Sequence, residues 1–180
     1  MSHYEHKARA PKALAFGVLT VSDTRDEAAD ATGKRIRALL EAAGHAVAAY
    51  AVVRDEAPAI RAAVASWLDG GTVQAVVVNG GSGASPRDVT PEAVRPLLDK
   101  ELPGFGELFR ALSYQEIGPA AYLSRALAGT ARGIPVFCLP GSTSAAALAV
   151  ERLILPEAGH LWAMANEDGN REAGNQRTRA

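Results

Sequence analysis

Apolar, often β-branched runs alternate along the chain with stretches whose apolar residues fall at helical spacing. Residues 14–21, 45–53, 73–78 and 134–139 read as strands. Between the first two, Ile36, Leu39 and Leu40 mark one face of a helix that Asp30 or Thr32 can cap and Gly44 can end. Ile60, Val64, Trp67 and Leu68 mark a helix over 57–68, closed by Gly70 and Gly71. Short helices are expected over 91–98 and 107–112, with a loop over 115–119 and a stretch at 122–127 that suits helix or strand. A helix over 145–154 is limited by Pro156, beyond which Leu161 and Trp162 can extend the packing. Alternating strands and helices predict a mostly parallel, doubly wound sheet with helices on both faces. In such a sheet the loops leaving the strands gather along one edge, where ligands bind.

The loop over residues 79–93 is the richest of these. It joins the apolar Val76-Val77-Val78 to a helix start in which Thr90 can be the N-cap and Pro91 the first helical residue. Gly80, Gly81 and Gly83 carry no Cβ, so the backbone can turn at positive φ and approach a ligand closely. Successive amides in such a turn form an anion cradle, and Ser82 adds a hydroxyl. A tight strand–helix turn accounts for glycines alone. Ser82, Arg87, Asp88 and Glu92 in the same loop favour phosphate binding beside a carboxylate.

Other strand ends supply similar chemistry. Ser22 and Asp23 follow the first strand, as site residues or as a polar turn bonding its own backbone. Asp55 follows the second, where it can cap the next helix, lie beside Asp88 at the sheet edge, or do both. Pro140, Gly141 and Ser142 follow the last strand and open a helix, as a second anion site or as plain capping by Ser142 or Ser144. His45 reads as a strand-edge residue. Phe105, Leu108 and Phe109 crowd one segment, in the core or against a neighbouring subunit. Valine at Gly81 is expected to harm binding more than folding, and truncating a capping Asp55 to cost about 1 kcal/mol.

At 180 residues with 48% hydrophobic side chains the chain can bury a sizeable core as one domain over 13–165. Residues 1–12 and 166–180 read as flexible tails. His3 and His6 in the first read as solvated side chains, with metal binding the alternative. A net charge of -1 gives no bulk attraction for nucleic acid, so any anion site is local. The single cysteine, Cys138, sits in an apolar run and excludes an internal disulfide. No membrane span or secretory leader is evident, which gives a cytoplasmic expectation.

Several chemistries are excluded by motif. There is no G-x-x-x-x-G-K-[ST] loop, and Pro86 stands where a dinucleotide fingerprint needs its third glycine. There is no G-x-S-x-G elbow and no zinc spacing. A phosphate cradle with carboxylates remains. Those charges repel unless a divalent cation intervenes, and magnesium is the usual one, as in nucleotidyl or phosphoryl transfer.

Gly-Gly-Ser-Gly with Pro-Arg-Asp-Val-Thr-Pro-Glu-Ala, then Pro-Gly-Phe-Gly-Glu-Leu-Phe-Arg, then Leu-Pro-Gly-Ser, in that order, resembles the MoaB/MogA family of molybdenum cofactor biosynthesis. The resemblance implies a three-layer α/β/α molybdopterin-binding fold over about residues 13–165, assembled as a homotrimer or homohexamer. It implies molybdopterin and ATP as substrates, Mg²⁺ as cofactor, adenylylation of molybdopterin with release of pyrophosphate, and hand-over to a molybdenum insertase. It matches Asp55 and Asp88 to the catalytic aspartates and candidate magnesium ligands. It matches Ser22, Asp23, Gly80, Gly81, Ser82, Gly83, Ser124, Pro140, Gly141 and Ser142 to substrate-binding positions. Ser82 replaces a more frequent threonine and keeps its hydroxyl. Residues 112–118 look like the MoaB branch, some of whose members lack the Arg-Asp-Val-Thr segment retained here. Ser142 departs from the Pro-Gly-Asn-Pro turn of some relatives. The alternatives are a binding protein of the same fold without transfer, and a related domain that hydrolyses nucleotide pyrophosphates.

Overall fold

The computed structural model describes residues 10–167. His3, His6 and the rest of the terminal stretches 1–9 and 168–180 lie outside the described residues. In chain order the elements are β1 (Ala15–Val21), α1 (Ala31–Ala42), β2 (Ala46–Val53), α2 (Ala57–Gly70), β3 (Ala75–Asn79), α3 (Thr90–Val94), β4 (Lys100–Glu101), α4 (Pro103–Ile117), β5 (Leu127–Ala131), β6 (Ile134–Leu139), α5 (Thr143–Ala149) and α6 (Leu155–Ala165). Short 3₁₀ turns follow α3 and α4, and a π segment, Val150–Ile154, joins α5 to α6.

The sheet order is β2-β1-β3-β6-β5-β4. β2, β1, β3 and β6 run parallel, while β5 and β4 are antiparallel additions at one edge. Side chains alternate across the parallel strands, as period-2 geometry requires. Phe16, Val18, Val77, Phe137 and Leu139 pack with Ile36, Leu40, Phe109, Val150 and Ile154 on one face. Leu19, Val21, Val76, Val78, Val136 and Cys138 pack with Ile60, Val64, Leu68 and Val94 on the other. These two cores make the expected three-layer α/β/α arrangement. From β1 the chain runs outward to β2, then returns to place β3 on the other flank of β1. Strand order therefore reverses between β1 and β3, and the C-terminal ends of such strands are where this architecture leaves a crevice.

Several local expectations are corrected. β5 and β6 form an unforeseen hairpin whose two turn residues, Arg132 and Gly133, both have positive φ (53° and 76°), the conformation a tight hairpin needs. α4 runs from Pro103 through Ile117, taking in the segment expected as loop at 115–117. Residues 122–127 are 3₁₀ turn, then loop, then the first residue of β5. Pro156 does not end its helix. It lies in the first turn of α6 within one continuous helical run, and the π segment before it, where the Leu155 amide bonds the Val150 carbonyl five residues back, accommodates its missing N–H. Phe109 is 1% exposed and belongs to the core, whereas Leu108 is 58% exposed. His45 lies just before β2, its Nδ1 accepting from the Leu14 amide at 3.0 Å.

Candidate functional site

The loops leaving β1, β2, β3 and β6 line one open cavity of about 720 Å³. Every catalytic and substrate-binding position matched from the resemblance is on its wall, namely Ser22, Asp23, Asp55, Gly80, Gly81, Ser82, Gly83, Asp88, Ser124, Pro140, Gly141 and Ser142, whereas Arg87 and Glu92 of the glycine loop are not. The far wall comes from α4 and the turn after it, through Phe109, Ser113, Ile117, Ala121 and Leu123.

The glycine loop is shaped by close packing. Gly80 and Gly81 have φ of 96° and 61°. A Cβ on Gly80 would lie 2.2 Å from the Val21 carbonyl oxygen, and one on Gly141 3.2 Å from Gly80 Cα, so three strand-end loops meet without side chains between them. The Thr90 hydroxyl donates to the Gly80 carbonyl at 2.8 Å and its amide to the Gly81 carbonyl at 2.9 Å. Thr90 is thus the first residue of α3 and a strut for the loop, while Val89 takes the N-cap position. Arg125 supports the loop from behind, donating to the Gly83 carbonyl at 2.7 Å and the Asp88 carbonyl at 2.7 Å, and pairing with Glu92. Among the described residues, the amides of Gly81, Ser82 and Gly83 donate to no group of the protein. The Ser82 hydroxyl is also buried without a partner.

A buried polar network fastens β3 beneath this loop. Asn79 donates to the Thr20 hydroxyl at 2.8 Å and the Leu19 carbonyl at 3.2 Å. Thr20 and Tyr50 both donate to Asp30, at 2.5 and 2.8 Å, and Asp30 caps α1 through the Gly33 amide. Burial, then the Asp30 carboxylate, pushes the Tyr50 hydroxyl far above its ordinary range.

Two carboxylates flank the turn. A Cβ at Gly81 would sit 2.6 Å from Asp55 Oδ1, and one at Gly83 2.8 Å from Asp88 Oδ2. Asp55 does not cap α2; Glu56 holds that position, with no side-chain cap. Asp55 instead reaches across to accept from the Val89 amide at 3.4 Å, tying the second loop to the third. Burial raises its pKa above the ordinary 3.8, the nearby charges of Asp88 and Asp23 add to the rise, and the Val89 amide opposes it. Asp88 accepts from the Ser85 amide at 2.8 Å.

Asp23 pairs with Arg87 through contacts of 2.7, 2.9 and 3.1 Å and accepts from the Asp55 amide at 3.2 Å. The Arg87 bonds hold its carboxyl below the usual range. Ser22 stabilises its own loop by accepting from the Thr24 and Arg25 amides. Arg25 lines the cavity, and its guanidinium reaches the Thr32 hydroxyl at 3.4 Å. Ser142 is the N-cap residue of α5 without a side-chain cap bond. That loop is held by the Thr32 hydroxyl, which donates to the Gly141 carbonyl at 3.0 Å. Among the described residues no three His, Cys, Asp or Glu side chains cluster as a metal set.

Residues 17–160 match the model of a probable molybdopterin binding domain. The chain is 49% identical over 162 residues to molybdenum cofactor biosynthesis protein B of Bacillus subtilis, covering 89% of this chain and 95% of that one. The chain belongs to the molybdenum cofactor biosynthesis protein B family. A relative from Staphylococcus aureus strain N315 with the same description is 48% identical, over 87% of this chain and 95% of its own. A crystal structure of a molybdenum cofactor biosynthesis protein B superposes with a TM-score of 0.85 at 47% identity, covering 88% of this chain and 99% of that one. The tungsten cofactor synthesizing protein MoaB from Pyrococcus furiosus follows the same fold with a TM-score of 0.76 at 39% identity, over 87% and 99%.

Within this family's fold, motif reading left out two residues of the cavity, Arg25 and Ser113, and one that supports its glycine loop from behind, Arg125. Arg125 directly follows Ser124, so a wider reading of that motif would have reached it. Ser113 falls in the 112–118 stretch that resembles the MoaB branch but carries no local sign of binding chemistry. No helix among the described residues is long and apolar enough to cross a membrane.

Proposed function

We propose that the chain is a molybdopterin adenylyltransferase. The observation that carries this is the glycine loop: three successive amides unpaired within the protein, flanked by Asp55 and Asp88, in one cavity. Unpaired amides in a turn suit phosphate oxygens. In the reaction an oxygen of molybdopterin attacks the α-phosphorus of ATP, the bond to the β-phosphate breaks, and pyrophosphate leaves. Gly81, Ser82 and Gly83 would hold the phosphates by their amides, with the backbone fixed by Thr90 and Arg125. Such positioning, together with electrostatic stabilisation, is most of what phosphoryl chemistry asks of a protein.

Asp55 and Asp88 fit a magnesium site. Mg²⁺ typically takes one or two protein carboxylates and completes its shell with phosphate oxygens and water. Both carboxylates border the glycine turn, within 2.6 and 2.8 Å of where Cβ atoms on Gly81 and Gly83 would stand, beside the amides that suit the phosphates. When bound, Mg²⁺ supplies charge neutralisation to the reacting phosphates. Asp55 and Asp88 would hold it, and Arg25 would add a cation on the β1 side of the cavity.

The test supplies molybdopterin and Mg-ATP and follows adenylylated pterin and pyrophosphate in a single turnover. Formation of both is expected. Pterin bound without product leaves a binding protein, and cleavage of a nucleotide pyrophosphate without pterin points to the hydrolase alternative. The proposal extends to a homotrimer or homohexamer that hands its product to a molybdenum insertase. Support for self-association comes from an apolar groove of about 460 Å³ between α4 and α6, bordered by Leu108 and by Met164, which is 55% exposed. Leu108→Asp should weaken the assembly in sedimentation, and a wild-type monomer at micromolar concentration would remove it.

A further inference from the structure

α4 presents Phe109, Ser113 and Ile117 to the cavity, four residues apart and therefore one above another on a single helix face. The turn that follows adds Leu123. Ile117 is 59% exposed and Leu123 49% exposed, so this wall offers apolar area that a ligand can cover. In its middle stands one hydroxyl. Ser113 is 4% exposed, and its Oγ has no hydrogen-bond partner among the described residues. A helix serine can satisfy itself on the carbonyl four residues earlier, and this one does not. Native folds carry few such orphans, because the lost bond to water is not replaced. Two of the four buried, unpartnered side-chain atoms in the described residues, Ser82 Oγ and Ser113 Oγ, belong to residues of this cavity.

We propose that Ser113 is a ligand-recognition residue whose hydroxyl bonds the edge of a flat nitrogen heterocycle lying against the Ile117 and Leu123 side chains. The chemistry is complementary. A heteroaromatic ring has apolar faces and an edge of donors and acceptors, and a serine hydroxyl both donates and accepts. A serine needs only a χ1 rotation between staggered positions to redirect that hydroxyl. The assignment rests on the cavity being the pterin and nucleotide site, where each substrate carries such a ring.

Ser113→Ala separates ligand recognition from a structural role. The melting temperature of the ligand-free variant should be unchanged or raised, because no protein bond is lost. Affinity for one ring compound should fall about tenfold, equivalent to about 1.4 kcal/mol and within the range of one hydrogen bond. Calorimetric titrations with molybdopterin, handled anaerobically, and with ATP identify the ring: loss with the first alone assigns the pterin, and with the second alone the adenine. Ile117→Ser should weaken the same compound. Unchanged affinity for both compounds in Ser113→Ala overturns the assignment, as does a lowered melting temperature in that variant or a wild type that binds neither. A wild type that forms no adenylylated product, yet loses ring affinity on Ser113→Ala, removes only the transfer reaction. A wild type active in transfer whose ring affinities ignore Ser113→Ala removes only this assignment.

Discussion

The two walls of the cavity are built on different principles. The strand-end wall, from Ser22 through Asp55 to Asp88, is polar and glycine-rich, and is held largely by hydrogen bonds between loops. The α4 wall is apolar, and its inner residue, Phe109, also belongs to the main core. Chemistry and stability are therefore separable on the first wall and fused at Phe109 on the second. Substitutions on the two should fail in different ways.

The largest effect is expected at the fused wall. Phe109→Ala should destabilise the fold by about 3–5 kcal/mol, a large share of a domain's total. Chemical denaturation checks this, and an unchanged midpoint would mean that α4 is not anchored by the core. The burial of Phe109 also disqualifies it as a surface probe of assembly, the purpose for which Leu108 is suited. Next comes Asp88→Asn, which should slow adenylyl transfer by about 10²-fold or more, comparable with removing one preorganised electrostatic group. Its stability should stay near wild type, because asparagine can still accept from the Ser85 amide. Normal single-turnover rates would sever the strand-end wall from the chemistry.

Gly81→Val blurs the separation. At φ 61° a β-branched residue is strained, and its Cβ would meet Thr90 Oγ1 at 2.5 Å and Asp55 Oδ1 at 2.6 Å. A stability loss of about 1–3 kcal/mol should accompany the loss of ligand binding, a larger share than expected from the sequence, which put the harm on binding more than on folding. Thermal melts beside titrations will show whether both fall. The smallest effect is at Asp55. A carboxyl whose folded pKa lies above its unfolded value favours folding when protonated, so its ionisation opposes folding. That penalty is absent below the ordinary value of 3.8 and fully present once the pH exceeds the raised folded value. Asp55→Asn should therefore be slightly more stable than wild type at neutral pH, with the gain disappearing as the pH falls from the raised folded value to the ordinary one. A lower melting temperature at neutral pH would mean that the Asp55 carboxylate stabilises the fold through the Val89 amide by more than its burial costs.

The strand-end wall was legible because its signals are local. A β-branched run followed by glycines, Arg87, Asp88 and Thr90-Pro91 announces a strand, a turn and a helix within one window. What failed was one step of hydrogen bonding. Thr90 and Asp55 read as caps, yet their side chains act across loops, on the Gly80 carbonyl and the Val89 amide. The antiparallel edge was illegible for another reason. Leu127-Ala128-Gly129-Thr130-Ala131 is buried throughout, so it shows no alternation, and its hairpin turn carries only one glycine. Ser113 is the extreme case: only the assembled cavity distinguishes it from any other helix serine.

Cys138 gives the central sheet a built-in reporter. It is the chain's single cysteine, sits on β6 between β3 and β5, and is fully buried. Burial pushes its thiol far above the ordinary range, so the reactive thiolate is suppressed while the fold is closed. Alkylation must then wait for the strands around it to part. The labelling rate of the unmodified protein measures how often the middle of the molecule opens, one site at a time and without an added probe.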